Sequence, residues 1–127
     1  MPSAPPRVLI VEDYADLREM YAEYLRFHGF EVEEAADGIE GVERARATRP
    51  QIVLMDLSLP RLSGRDAIRQ LRLDPLTEHA GVIALTGDVS REQEWLARMA
   101  GCDGVLAKPS FPEDLLAEVR RVLQARA

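Results

Sequence analysis

The strongest constraint on the fold is an alternation, along almost the whole 127-residue chain, of short apolar runs with amphipathic stripes. Most of the runs are continuous and rich in β-branched residues, as in strands that are covered on both faces. They are RVLIV (7–11), FEVEEA (30–35), QIVLM (51–55), GVIALT (81–86) and GVLA (104–107). The second run alternates polar with apolar residues, so we expect it at an edge. Such an alternation predicts an α/β fold in which a parallel sheet lies between two layers of helices.

Apolar residues at helical spacing follow each of these runs. The five stripes are Leu17, Met20, Tyr21, Tyr24 and Leu25; Ile39, Val42 and Ala45; Ala67, Ile68 and Leu71; Trp95, Leu96, Met99 and Ala100; and Leu115, Leu116, Val119, Val122 and Leu123. Gly29 and Gly101 are expected to end the first and fourth helices, and Pro50 stops the second. The pattern predicts five βα units in one domain over residues 7–127, preceded by a disordered Pro-rich tail at residues 1–6.

Composition excludes several classes of function. The formal net charge is −6 and the sequence pI is about 4.9, which argues against binding to nucleic acid or to an anionic membrane surface. The single cysteine, Cys102, permits no intramolecular disulfide and no cysteine-based zinc cluster, and it predicts a reducing, cytoplasmic location. The sequence has no run of about 18 apolar residues, so we expect no membrane span, and its first residues lack the pattern expected of a signal peptide.

Polar residues that could carry chemistry stand at the ends of four predicted strands. Glu12 and Asp13 follow the first strand and Asp56 follows the third, while Thr86 ends the fourth and Lys108 follows the fifth. Because the carboxyl ends of parallel strands share one edge of a sheet, we expect these side chains to converge in a single cleft. Taken alone, Asp56 is equally well explained as a residue that bonds the backbone amides of the following turn.

Three carboxylates in one cleft repel each other, and a divalent cation resolves that repulsion. All-oxygen ligands favour a hard ion, so we predict Mg²⁺, with Mn²⁺ as an alternative. The absence of Cys and His at these strand ends argues against zinc. Lys108 and Thr86 add a positive charge and a hydroxyl donor, which together with the metal suit a phosphoryl group. A carboxylate such as Asp56 can act there as a nucleophile and become an aspartyl phosphate.

The chain resembles the receiver domain of bacterial two-component response regulators, particularly the stand-alone, chemotaxis-regulator-like kind. The resemblance covers the chain from about Val8 to Leu123. Its pieces, in order and each at a predicted strand end, are LIVED, VLMDLSLPRLSG, IALTG and AKP. The resemblance implies the flavodoxin-like (βα)5 receiver fold, a doubly wound five-stranded parallel sheet with strand order 2-1-3-4-5.

The resemblance also implies a set of metal ligands and a phosphorylation site. Asp56 would be the phosphoacceptor. Asp13 and Asp56 would bind Mg²⁺ directly, Glu12 directly or through water, and the backbone carbonyl of Ser58 would complete the protein ligands.

Two further residues have implied roles, and two positions depart from the family pattern. Lys108 would contact one phosphoryl oxygen, in a Lys108–Pro109 segment whose peptide bond is usually cis in the family. Thr86 would contact another oxygen after phosphorylation and relay the change. The family commonly has Tyr or Phe where this chain has Val105, and often has Phe where it has Ser110, so the relay beyond Thr86 is expected to differ.

By this resemblance the protein is a phosphorylation-dependent signalling switch that catalyses only its own phosphorylation and dephosphorylation. The phosphoryl donor would be a sensor histidine kinase or a histidine phosphotransfer protein. An unknown downstream protein would bind the face formed by the fourth helix, the fifth strand and the last helix. Three alternatives stay open: an interaction module without a phosphorylation-driven shape change, a receiver fragment of a larger response regulator, and an aspartyl-nucleophile phosphatase. The last is disfavoured because Ser58 stands where such enzymes have a second Asp.

Overall fold

The structure, a computed structural model, describes residues 4–126. The strands are β1 Arg7–Val11, β2 Glu31–Ala35, β3 Ile52–Asp56, β4 Gly81–Thr86 and β5 Gly104–Ala107. The helices are α1 Ala15–Phe27, α2 Gly38–Thr48, α3 Gly64–Leu73, α4 Arg91–Ala100 and α5 Pro112–Ala125. Residues 1–3 of the predicted tail lie outside the described residues, and the disorder predicted for residues 1–6 stays a prediction. In the described part of the chain, no helix combines the length and apolar character that crossing a bilayer requires.

The five strands form one parallel sheet in the order β2-β1-β3-β4-β5, which confirms the predicted fold class and strand order. The weaker strand β2 is at an edge, as predicted. The order reverses direction between β1 and β3, and the carboxyl ends of these two neighbours open a crevice at the switch point. The register pairs Val11 with Met55, so the loops that leave β1 and β3 begin side by side.

The sheet is covered on both faces because side chains alternate along each strand. Leu9, Val53 and Met55 face the layer of α2, α3 and α4, whereas Ile10 and Leu54 face the layer of α1 and α5. All of these side chains are fully buried. The near-continuous apolar runs therefore reflect two hydrophobic cores, one on each side of the sheet.

The bounds of two strands and the buried face of one helix differ from the sequence-based expectation. β3 runs from Ile52 to Asp56 and not from 51 to 55, and β2 begins one residue later than predicted. The apolar stripe predicted for α4 was wrong at Trp95 and Met99, which are 60% and 66% exposed, and right at Ala100, which is buried. The small residues Ala97 and Ala100 are the ones buried against the sheet. Small side chains let the helix approach closely, and the large ones are left in solvent.

Candidate functional site

All the candidate side chains lie at the carboxyl edge of the sheet, as predicted from the strand ends. Glu12 directly follows β1, Asp56 is the last residue of β3, Thr86 is the last residue of β4, and Lys108 comes directly after β5. Asp13 lies in the loop between β1 and α1. The fold thus brings together residues that are up to 96 positions apart in the sequence, from Glu12 to Lys108.

Three carboxylates form the acidic part of this cleft. One oxygen each from Glu12, Asp13 and Asp56 lies within 4.8 Å of the other two. Glu12 is fully buried and Asp56 is 1% exposed, whereas Asp13 faces solvent. A buried carboxylate in such company is stabilised only by opposite charge or by hydrogen-bond donors.

Lys108 supplies the opposite charge. Its Nζ atom lies 2.8 Å from Oε1 of Glu12 and 3.0 Å from Oδ2 of Asp56. The contact with Asp56 has hydrogen-bond geometry, but the contact with Glu12 is an ion pair without it. Oε1 of Glu12 is therefore the one buried side-chain nitrogen or oxygen among residues 4–126 that lacks a hydrogen-bond partner. Lys108 is also the only lysine in the sequence.

The protonation equilibria of the cleft reflect this crowding. Burial raises the pKa of Glu12 from its ordinary value of 4.5 to about 7, and the neighbouring carboxyl groups of Asp56 and Asp13 add to the rise against the effect of Lys108. The pKa of Asp13 is lowered, chiefly by its interaction with Glu12. Burial opposes the charge on Lys108, yet its contacts with Glu12 and Asp56 raise the pKa of Lys108 above its ordinary value.

The loop after β3 holds Asp56 in place. The N–H of Ser58 donates a hydrogen bond to Oδ1 of Asp56 at 3.0 Å, so the turn-capping interpretation of Asp56 is also correct at one of its oxygens. The start of α3 packs against the same strand end. A Cβ atom on Gly64 would lie 2.2 Å from the carbonyl oxygen of Asp56 and 2.6 Å from Cα of Leu57, and so only glycine allows this approach.

Thr86 lies in the cleft, but its hydroxyl is bonded to the next loop. Oγ1 donates to the carbonyl oxygen of Asp88 at 3.1 Å and accepts the N–H of the same residue at 3.0 Å. Thr86 is 5% exposed. The hydroxyl therefore holds the loop between β4 and α4.

Sequence reasoning missed two supporting side chains. Arg18 donates a hydrogen bond to the carbonyl oxygen of Glu12 at 2.9 Å and another to Oε1 of Glu34 at 3.2 Å. Tyr21 was predicted as core-facing, and it is fully buried, but its hydroxyl also bonds the backbone of Ser110 in the loop after Lys108. Neither contact leaves a periodic signal in the sequence. The predicted cis peptide bond between Lys108 and Pro109 is present.

A family model described as the response regulator receiver domain matches residues 8–120. The chain belongs to this family. Among curated relatives of the receiver domain is the response regulator MprA of Mycobacterium sp. (strain KMS), which is 36% identical over 120 residues. That alignment covers 94% of this chain and 51% of the relative, so the chain spans about half the length of the curated relatives it matches.

Solved receiver structures share the fold closely. Chemotaxis protein CheY4 of Vibrio cholerae has a TM-score of 0.90 at 32% identity, with 94% of this chain and 99% of that chain covered. The receiver domain of the sensor histidine kinase PA1611 from Pseudomonas aeruginosa PAO1 has a TM-score of 0.87 at 31% identity, with 95% and 99% covered. That structure has a magnesium ion coordinated in its active site cleft. Receiver domains are signalling domains of two-component systems and not classical enzymes.

Proposed function

We propose that this receiver domain accepts a phosphoryl group on Asp56 with the help of Mg²⁺ and thereby switches its affinity for a partner protein. The observation that carries the proposal is the arrangement of Asp56 between the acidic pair, Glu12 and Asp13, and the single lysine, Lys108. The site fits a hard cation because it gathers three carboxylates and leaves a buried oxygen of Glu12 without a hydrogen-bond partner. Mn²⁺ would fit the same oxygen ligands.

The metal would be held by Glu12, Asp13 and Asp56, with the backbone carbonyl of Ser58 as the further protein ligand. When bound, it supplies positive charge that offsets the charge of the carboxylates and of the incoming phosphoryl group. The protein's own part in phosphoryl transfer is then mostly positioning and charge compensation.

In the transfer step a carboxylate oxygen of Asp56 attacks the phosphorus of a phosphohistidine. The new oxygen–phosphorus bond forms as the phosphorus–nitrogen bond of the donor breaks, and its electron pair stays on the imidazole nitrogen. Lys108 lies 3.0 Å from Oδ2 of Asp56, so its ammonium group is close enough to hydrogen-bond an oxygen of the transferred group. The donor would be a sensor histidine kinase or a histidine phosphotransfer protein.

The switch would work through Thr86. Its hydroxyl now donates to the carbonyl oxygen of Asp88, and a bond to a phosphoryl oxygen would require that donor to turn away. Releasing Asp88 would free the loop before α4, so the charge at Asp56 would bias two arrangements of the same loop. A partner that prefers one arrangement reads the signal, and we place its binding on the face of α4, β5 and α5.

The decisive experiment is incubation with Mg²⁺ and acetyl phosphate, followed by intact-mass measurement. We expect an adduct of one phosphoryl group that is lost in Asp56→Asn and in the presence of excess EDTA. Asp16→Asn is the matched control, because Asp16 is an exposed aspartate at the start of α1 near the same cleft. An adduct that persists in Asp56→Asn, or no adduct with either acetyl phosphate or a phosphorylated histidine phosphotransfer protein, would refute the proposal.

A receiver that binds partners without a phosphorylation-driven shape change is the second candidate. It is favoured by Val105, a half-buried aliphatic side chain that packs on the core on the side of α2, α3 and α4. Amide NMR spectra with and without beryllofluoride separate the two candidates. Shifts confined to the loops around Asp56 would support the second candidate, whereas large shifts across α4 and β5 would exclude it.

The curated relatives are about twice as long as this chain, so the switch is also compatible with control of an output region in a longer response regulator. In that case the histidine-containing donor would still bind at the cleft around Asp56, and the downstream protein would still bind the face of α4, β5 and α5.

A further inference from the structure

Tyr21 is a fully buried side chain on α1 whose hydroxyl is bonded to a distant loop. The hydroxyl donates a hydrogen bond to the carbonyl oxygen of Ser110 at 3.1 Å and accepts one from the N–H of Ser110 at 2.9 Å. The two residues are 89 positions apart in the sequence. Burial raises the pKa of Tyr21 above its ordinary value, so the hydroxyl keeps its proton and remains a donor. Both polar backbone groups of one residue are thus satisfied by a single side chain.

The segment from Lys108 to Phe111 depends on this anchor. The N–H of Lys108 donates to the carbonyl oxygen of Thr86 at 2.8 Å, which ends the ladder with β4. Pro109 then has no N–H to donate. Phe111 is 74% exposed and gives the segment no buried side chain. Beyond Lys108, the two backbone bonds of Ser110 to Tyr21 tie the segment to α1, whereas Oγ of Ser110 bonds only the nearby carbonyl oxygen of Ala107.

The anchor also joins the two sides of the cleft. α1 begins just after Glu12 and Asp13, which form one side, and Lys108 comes from the other side. The ammonium group of Lys108 reaches 2.8 Å from Glu12 only if its own backbone lies at the right distance from α1. Tyr21 ties α1 to the backbone of Ser110, two residues after the lysine.

We propose that Tyr21 is a positioning residue that holds Lys108 in place for phosphoryl transfer to Asp56. The proposal rests on the proposed function of the cleft. A purely structural role, in which the ring fills the core and the hydroxyl merely finds partners, predicts a different outcome. In that case loss of the hydroxyl would lower stability without acting through Lys108.

The experiment removes only the hydroxyl, with Tyr21→Phe, and measures the rate of Asp56 phosphorylation by acetyl phosphate at saturating Mg²⁺. We expect a roughly tenfold slower rate, because a displacement of about 1 Å in a reacting group can cost about 100-fold. The same substitution in a Lys108→Ala background should change the rate by less than about twofold, since residues that act through each other are not additive. Tyr24→Phe is the matched control, because Tyr24 is on the same helix and its hydroxyl makes no hydrogen bond within residues 4–126.

A spectroscopic measurement tests the same proposal without phosphorylation. Since Lys108 is the only lysine, protein labelled with ¹⁵N-lysine gives a single side-chain ammonium signal. We expect Tyr21→Phe to shift or broaden this signal and Tyr24→Phe to leave it unchanged. In the unmodified protein, the amide of Ser110 should exchange with solvent slowly, as expected for a hydrogen-bonded group.

The outcomes separate the proposals. Equal slowing of phosphorylation in both backgrounds, an unchanged Lys108 signal, or fast exchange of the Ser110 amide would each overturn the role of Tyr21. If the unmodified protein takes up no phosphoryl group, the proposed function fails, while the Lys108 signal and the Ser110 amide still decide whether Tyr21 positions the lysine. Should Tyr21→Phe not fold, fast exchange of the Ser110 amide in the unmodified protein would still overturn the proposal.

Discussion

Replacing Glu12 by glutamine should stabilise the metal-free protein, and it should do so only above acidic pH. The side chain is fully buried, and its pKa is about 7 in the folded chain against an ordinary 4.5. Between these two pH values the folded protein binds more protons than the unfolded protein. The free energy of unfolding therefore falls as pH rises through this window, and the loss is complete above pH 7.

The size of the effect follows from the shift in the pKa of Glu12. At about 1.4 kcal/mol per pKa unit, the rise from 4.5 to about 7 corresponds to roughly 3 kcal/mol of lost stability. Glutamine has nearly the same shape and no charge, so it should avoid this loss. We expect Glu12→Gln to match the unmodified protein near pH 4.5 and to exceed it by roughly 2–3 kcal/mol at pH 8.

Urea denaturation in EDTA, followed by far-ultraviolet circular dichroism at pH 5, 6, 7 and 8, measures this difference. With a urea dependence of about 1–3 kcal/mol/M, the midpoints at pH 8 should differ by roughly 1–2 M. Glu19→Gln is the control, because Glu19 is an exposed glutamate on α1 and should leave the pH profile unchanged. A difference between Glu12→Gln and the unmodified protein that is the same at every pH would refute the reasoning, as would a less stable variant at pH 8.

Mg²⁺ should reverse the order at high pH, because a cation that binds only the folded state stabilises it. Its affinity for the unmodified protein should rise from pH 5.5 to pH 8 as Glu12 loses its proton, and the rise should be flatter in Glu12→Gln. Calorimetric titration of both proteins with Mg²⁺ at the two pH values checks this. Equal pH dependence in both proteins would show that Glu12 does not bind the metal.

Three further predictions concern residues outside the acidic cluster. Gly64→Ala should lower the free energy of unfolding by about 1–3 kcal/mol in urea titrations, because its Cβ would lie 2.2 Å from the carbonyl oxygen of Asp56. Arg49→Gly should raise the free energy of unfolding by about 0.5–1 kcal/mol in thermal unfolding, because Arg49 ends α2 with a φ of 48°, a backbone conformation that glycine adopts more easily. Arg49→Ala should not stabilise the protein. Asp103→Asn should lower the free energy of unfolding by about 2 kcal/mol at pH 7, because Asp103 pairs with Arg72 and Arg126. Since these contacts lower the pKa of Asp103, the difference should shrink as the pH falls below 4, and urea denaturation at pH 3 and pH 7 measures it.

The sheet was largely predictable from the sequence because buried parallel strands leave uninterrupted apolar runs. β1 and β4 have the predicted bounds, since charged or loop residues flank their apolar runs. β3 was predicted one residue too early at both ends, and its last residue was missed because a carboxylate is typical of a loop. In the structure the backbone of Asp56 pairs with Leu85 in the ladder while its side chain enters the cleft. The polarity of the side chains along a sequence therefore does not show which backbone groups pair in the sheet.

The face of α4 could not be predicted from apolar residues alone. Spacing identified a helix, but the choice between Trp95 and Ala97 as the buried side depends on how closely α4 approaches the sheet. That distance is set by neighbouring elements and not by the helix itself. The large exposed side chains of Trp95 and Met99 are the consequence, and they leave an apolar surface on α4.

The members of the site were predictable from strand ends, but their contacts were not. Thr86 was identified as a hydroxyl donor, yet its bond to Asp88 depends on the path of the following loop. The bonds between Tyr21 and Ser110 join a helix to a loop across 89 positions. One usable signal was overlooked: 16 residues are Lys or Arg, and Lys108 is the only lysine among them. A compact ammonium group at that one position suits a charge between two carboxylates.

A comparison of the two edges of the sheet shows that the missing hydrogen bond of Glu12 belongs to this site and is not a general feature of the fold. At the amino edge, Asp103 is also partly buried, and burial raises its pKa, but Arg126, the N–H of Val82 and Arg72 together lower it below the ordinary value. At the carboxyl edge, Oε2 of Glu12 accepts the N–H of Tyr14, but Oε1 has only the ion pair with Lys108 and no hydrogen-bond partner. The fold therefore completes the hydrogen bonds of the partly buried carboxylate of Asp103, whereas Oε1 of the fully buried Glu12 is left open to a proton or a further cation. The pH profile of Glu12→Gln measures how much stability that incomplete site costs.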